Sequence, residues 1–180
     1  NKGIIMSYIA VLPGDGIGPE VINEAIKIIK SIEDVTGNKF DLEYGIVGGE
    51  SIDKFGVPLT EDTIKLIENS KAILFGAVGG PKWDHLKGAD RPELGALLPL
   101  RKRLNLYANI RPCRPYDGLL DHAPLKRDRL EGTDFVVMRE LTGGIYFGDN
   151  FHRIPTYTLQ HNIFVCPKRH GTDLLMVIAK

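Results

Sequence analysis

Apolar and polar positions follow two rhythms along the chain. Residues 7–12 form a mostly apolar, β-compatible run that stops at Pro13-Gly14-Asp15-Gly16, as a buried strand does. Pro19 then stands at a helix-starting position, ahead of Val21, Ile22, Ala25, Ile26, Ile29 and Ile32 at helical spacing. Residues 40–47 read as a second strand, between the Gly37-Asn38 break and the Gly48-Gly49 pair. Thr60 is placed to cap a helix whose first turn carries Glu61 and Asp62, whose inner face carries Ile64 and Ile67, and which ends at Asn69-Ser70. Residues 72–75 read as a buried strand leading into Gly76 and the Val78-Gly79-Gly80-Pro81 turn. Residues 93–103 are helix-like, while residues 106–110 and 135–138 are strand-like. Strands alternating with helices predict an α/β fold with a largely parallel sheet, whose ligands gather at strand ends.

Composition narrows the class. The chain has 180 residues, with 23 Lys and Arg against 23 Asp and Glu, so a polybasic nucleic-acid binder is excluded. No apolar run approaches the roughly 18–20 residues of a membrane span. Residues 4–12, broken by Ser7, run into Pro13-Gly14-Asp15-Gly16 without a cleavage pattern and read as a buried strand rather than a signal-peptide core. Cys113 and Cys166 stand far apart without metal-ligand spacing, which predicts two reduced thiols in a cytoplasmic protein. The neutral total hides a change at Asn150. Residues 150–180 hold four Lys and Arg, Asp173 as their one acidic residue and three of the five histidines, leaving 19 basic and 22 acidic residues before them.

Several positions invite chemistry. Gly14-Asp15-Gly16-Ile17-Gly18 follows a strand and opens a helix, where backbone amides can meet a phosphate or carboxylate; a tight turn explains it equally well. It is not the dinucleotide fingerprint, because Pro19 stands where the last glycine belongs. Arg101, Arg111 and Arg139 recur at element ends, and their planar donor forks suit a small dicarboxylate if they converge; singly, each reads as a solvated surface residue. Leu97 and Leu98 precede Arg101 by four and three positions, putting an apolar surface beside its guanidinium, or simply packing in the core. Tyr146, past Gly143-Gly144, is a candidate proton donor or a half-buried packing residue.

Taken together, the motifs resemble the β-decarboxylating dehydrogenases, the isocitrate/isopropylmalate dehydrogenase family. The matching stretches are Leu12-Pro13-Gly14-Asp15-Gly16-Ile17-Gly18-Pro19-Glu20-Val21, Gly76-Ala77-Val78-Gly79-Gly80-Pro81-Lys82-Trp83-Asp84, Arg91-Pro92-Glu93, Leu97-Leu98-Pro99-Leu100-Arg101-Lys102, Asn109-Ile110-Arg111-Pro112 and Arg139-Glu140-Leu141-Thr142-Gly143-Gly144-Ile145-Tyr146-Phe147-Gly148. They cover residues 7–149. The resemblance implies an α/β sheet with flanking helices, distinct from the classical Rossmann fold and here truncated.

It further implies NAD-dependent oxidative decarboxylation of (2R,3S)-3-isopropylmalate to 4-methyl-2-oxopentanoate, in leucine biosynthesis. Arg101, Arg111 and Arg139 would hold the substrate carboxylates, Leu97 and Leu98 would contact the isopropyl group, and Tyr146 would help protonate the enolate carbon. Glu93 would lie between substrate and nicotinamide. The cofactor would be bordered by Gly80, Pro81, Lys82, Trp83, Asp84, His85, Leu86, Lys87, Gly88, Ala89, Asp90, Arg91, Pro92 and Glu93. Mg²⁺ or Mn²⁺ and a homodimer belong to the same expectation, although Asp173 alone after Asp149 makes no metal site. Residues 150–180 are expected to be a divergent tail, out of frame or disordered, and the chain alone is expected to show no turnover. The alternatives are a sister enzyme for tartrate, isocitrate or homoisocitrate, against which Leu97 and Leu98 speak, and a non-catalytic remnant.

Overall fold

The computed structural model describes residues 6–141 and 164–167, in two compact units, one running to Leu104 and the other beginning at Asn105.

The first unit is built on β1 (Met6–Gly14), β2 (Lys39–Tyr44) and β3 (Ala72–Ala77), all parallel, in the order β2-β1-β3. Central β1 is covered on both faces, which is why its residues run apolar without alternation. Val11 packs on one side with Ile22 and Ile26 of α1 (Gly18–Thr36), while Ala10 and Leu12 join Val47, Ile67, Ala96 and Leu100 on the other. Leu12 is wholly buried, a contribution of about 1.5–3 kcal/mol from that side chain. Pro19 in its first turn and left-handed Gly37 bound α1. Its core face is narrower than its apolar sequence suggests: Ile22 and Ile26 are buried, whereas Val21 and Ile32 are exposed together with Ile17 and Ile28.

Three predicted elements differ. The second strand ends at Tyr44 rather than reaching residue 47: Gly45, with no room for a side chain against Leu12 and Leu66, makes the last hydrogen bond to Val11 of β1, and Val47 instead bridges antiparallel to Leu59. The Gly48-Gly49 pair, which reads as a break, opens α2 (Gly49–Phe55). Residues 93–103 are helical but composite, a π turn over Glu93–Leu97 followed by α4 (Leu98–Arg103). Between them, α3 (Glu61–Asn69) has the predicted cap, with Thr63 N–H donating to Thr60 Oγ1 at 3.2 Å and Ile64 and Ile67 buried.

The second unit carries β4 (Ala108–Cys113), β5 (Phe135–Glu140) and β6 (Phe164–Pro167), an antiparallel sheet in the order β4-β5-β6. The prediction of a largely parallel sheet therefore holds for the first unit only. Strand β4 lies two to three residues later than residues 106–110 because Pro112 does not end it; on an edge strand a missing N–H is tolerated. A 3₁₀ segment (Asp117–His122) and the short α5 (Arg127–Leu130) connect β4 to β5. Strand β6 lies beyond the compositional change at Asn150.

Candidate functional site

The order β2-β1-β3 places the carboxyl ends of β1 and β3 side by side, the position at which open α/β sheets bind ligands. Here that crevice is filled by the protein itself. Asp15 N–H donates to the Ala77 carbonyl at 2.6 Å. A side chain at Gly14 would drive into that same carbonyl, one at Gly18 or Gly76 into the Pro13 carbonyl, and Gly14 has φ +71°. The glycines of this loop thus permit two backbones to cross at close range. Of the two readings open from sequence, turn geometry accounts for Gly14 and Gly18.

Asp15 itself is 5% exposed, and its carboxylate accepts three backbone hydrogen bonds. Oδ2 takes Gly49 N–H at 2.7 Å and Gly79 N–H at 2.9 Å, and Oδ1 takes Glu50 N–H at 2.9 Å. The first two donors in α2 are therefore satisfied by a residue 34 positions away in sequence from Gly49, not by a local capping side chain.

From Gly79 the chain enters the segment expected to border the cofactor. Pro81–Trp83 and Gly88–Asp90 are single 3₁₀ turns, and Lys82, Asp84, His85, Lys87 and Asp90 are exposed. Trp83 is half-buried on Gly49, occupying the space a Gly49 side chain would need, and its Nε1–H donates to Asp53 Oδ1 at 3.2 Å. Lys82 Nζ reaches Asp53 Oδ2 at 2.5 Å and lies 5.2 Å from the centre of the Trp83 ring. The hydrogen bond from Lys82 holds the Asp53 carboxyl below its ordinary value.

Glu93 ends the segment. Its carboxylate lies against Gly79, whose φ of +99° and crowded Cα leave no room for a side chain. Arg91 pairs with Asp84 at 3.6 Å and with Glu93 Oε2 at 3.7 Å, and that oxygen is buried without a hydrogen bond. The π turn that begins at Glu93 is wider than an α turn and runs into α4 at Leu98. Leu97, Leu98 and Arg101 are all half-buried.

In the second unit the β4–β5 register decides the geometry. Asn109 faces Arg139 and Arg111 faces Val137, so Asn109, Arg111 and Arg139 share one face of the ladder. Arg111 and Arg139 are diagonal neighbours, about 7–8 Å apart at the backbone and close enough for two long donors to meet one carboxylate. Arg111 Nε–H donates to Asn109 Oδ1, which orients the guanidinium along the sheet. Tyr146 lies outside the described residues. Among those described, no group of three or more His, Cys, Asp or Glu side chains is arranged to hold a metal ion, and no helix is long and apolar enough to cross a membrane.

The roles of Asp15, Asp53 and Asn109 are not read from the sequence, although Asp15 and Asn109 stand within matching motifs. Asp15 sits inside the glycine loop that drew attention for its amides, Asp53 lies on a helix hidden behind two glycines, and Asn109 gains meaning only from its position opposite Arg139.

Comparison with known proteins adds to this geometry. The family model described as isocitrate/isopropylmalate dehydrogenase matches residues 8–174. A 3-isopropylmalate dehydrogenase of Moorella thermoacetica is 53% identical over 143 residues, 79% of this chain and 40% of that protein. Another from Bacillus caldotenax is 55% identical over 140 residues, 78% of this chain and 38% of that protein. The chain thus spans about two fifths of the length of these curated relatives. Among solved structures, a β-decarboxylating dehydrogenase from Thermococcus kodakarensis matches with a TM-score of 0.57 at 32% identity, covering 91% of this chain and 41% of that one. Isocitrate dehydrogenase from Methylococcus capsulatus matches with a TM-score of 0.56 at 28% identity, covering 91% of this chain and 42% of that one.

Proposed function

Because this chain belongs to the isocitrate/isopropylmalate dehydrogenase family, we propose that it carries the substrate-carboxylate and nicotinamide-facing part of a 3-isopropylmalate dehydrogenase. The reaction takes (2R,3S)-3-isopropylmalate and NAD⁺ to 4-methyl-2-oxopentanoate, CO₂ and NADH. The placement of Arg111 and Arg139 on one face of the β4–β5 ladder carries the reading, because paired planar donors suit a small dicarboxylate. In this reading Arg101 joins them at the carboxylates, and Leu97 and Leu98 receive the isopropyl group, an apolar surface that disfavours the charged arm of isocitrate. Tyr146 supplies a proton to the enolate carbon after CO₂ leaves.

NAD, when bound, accepts the hydride from C2 of the substrate. In this reading residues 80–93 border it, and Glu93, held beside Arg91, lies between substrate and nicotinamide. The described residues do not fit the Mg²⁺ or Mn²⁺ of the family, and no step is assigned to a metal here. The same reading makes the protein a cytoplasmic homodimer acting on a small molecule, with neither nucleic acid nor membrane as partner.

Calorimetric titration of the chain with 3-isopropylmalate, isocitrate, tartrate and homoisocitrate tests the assignment. It predicts the tightest binding for 3-isopropylmalate. Preference for another acid transfers the chain to that sister activity, and absence of binding to all four contradicts the assignment.

A further inference from the structure

Two groups of the candidate site are seated on glycines, and both glycines are held by one atom. Trp83 rests on Gly49, and the Glu93 carboxylate rests on Gly79. The N–H groups of Gly49 and Gly79 both donate to Oδ2 of Asp15. We propose that Asp15 is a positioning residue for the cofactor-bordering segment, acting through Gly49 on Trp83 and through Gly79 on Glu93. The inference rests on the functional reading above for what residues 80–93 bind, but not for the clamp itself.

Three observations bring this role to Asp15 rather than to general packing. The carboxylate is buried, so its acceptor capacity is unavailable to water, and its three donors are backbone amides, two at the start of α2 and one in the loop after β3. Charge-assisted bonds of this kind are roughly twice as strong as neutral ones and hold their donors in a fixed direction. Both seats also have to be glycine. Trp83 fills the side-chain position of Gly49, and Glu93 fills that of Gly79, so a small movement of either backbone displaces the group resting on it. Asp53 completes the arrangement from α2, since the helix that Asp15 anchors at Gly49 also carries the carboxylate that ties down Lys82 and Trp83. A shift of α2 would move the Trp83 seat and the Trp83 tether together.

The chain contains one tryptophan, so its emission reports this segment directly. Asp15→Ala removes every acceptor, and Asp15→Asn can keep a carbonyl oxygen at the Oδ2 position, sacrificing only the bond to Glu50. The proposal predicts that Asp15→Ala shifts Trp83 emission to the red and speeds acrylamide quenching while far-UV circular dichroism stays native. Asp15→Asn should return both signals toward the wild-type values. NAD affinity, followed by quenching of the same tryptophan, should fall about tenfold in Asp15→Ala, which is ~1.4 kcal/mol. Unchanged Trp83 emission and quenching in a natively folded Asp15→Ala would overturn the role.

If Asp15→Ala does not fold, amide exchange of the wild-type chain decides. Protection of both Gly49 and Gly79 supports the clamp, and exchange of either at unprotected rates overturns it. Should the wild-type chain fail to bind NAD, the functional reading falls, while the ligand-free Trp83 signals still settle the role of Asp15.

Discussion

The two three-stranded sheets of this chain use their backbones differently. In the first unit the parallel strands bury both faces, and the loops at their carboxyl ends approach until Gly14, Gly18 and Gly76 leave no room for a side chain. In the second unit the antiparallel ladder is mostly half-exposed, and among its described residues only Leu120 and Leu141 are buried hydrophobics. Its candidate chemistry sits on one face of the ladder, which Asn109, Arg111 and Arg139 share. The contrast separates two tasks. The first unit spends its glycines on rigid backbone crossings that carry Trp83 and Glu93, and the second presents charged side chains whose spacing follows from strand register. Substitutions in the first should act on folding, and substitutions on the ladder face should act on binding.

The sharpest break of this comparison is a methyl group at Gly14. Gly14→Ala must displace the Ala77 carbonyl and hold φ at +71°, so we expect a loss of at least ~3 kcal/mol or no folded protein, read by chemical denaturation. Gly132→Ala in the second unit has an equally left-handed backbone, φ +76°, but nothing near its side-chain position, and should cost only about 1–2 kcal/mol. Equal losses at the two positions would remove the argument for close crossings.

A smaller effect separates the cores. Leu12→Ala, at a wholly buried position, should cost about 2–5 kcal/mol, while Met138→Ala, 40% exposed on the ladder, should stay below about 1 kcal/mol. Denaturation midpoints of the two variants provide the check. Thr60→Ala, which removes the cap of α3, falls between them at about 1 kcal/mol.

What could be read from the sequence follows the range of the interaction. Helices α1 and α3 are legible because their signals are local, Pro19 and Gly37 for one and Thr60 with its acidic first turn for the other. Helix α2 is not, because its first donors are met by Asp15 from the other end of the β1 loop. The glycine loop is visible as a loop, yet its purpose depends on the Ala77 carbonyl passing beside it, more than 60 residues later in sequence. The same holds for the arginines. Spacing identifies Arg111 and Arg139 as candidates, but only the pairing of Asn109 with Arg139 puts them on one face. Glu93 is legible by resemblance, whereas its seat on Gly79 and the π turn beneath it are products of packing.

The smallest expected effect is an alkaline one in the first sheet. Tyr8 donates its phenolic hydrogen bond to Glu43 across β1 and β2, and that bond, foremost, pushes its pKa from 10.0 up to about 12. Because the folded value lies above the unfolded one, the contribution of this pair is complete below about pH 10 and is lost as the pH rises through about 12. Tyrosinate absorbance should therefore show a late-titrating component that is lost in Tyr8→Phe. A Tyr8→Phe titration identical to wild type would contradict the pairing.

The division of labour between the two sheets is tested most directly by titrating 3-isopropylmalate into wild-type chain and into Arg111→Gln and Arg139→Gln, with the unfolding midpoint of each measured alongside. The account predicts binding weakened about tenfold or more in each variant, with stability changed by no more than ~1.5 kcal/mol, the scale of one side-chain hydrogen bond. Undiminished binding in both variants, or a loss of binding explained by unfolding, would contradict it.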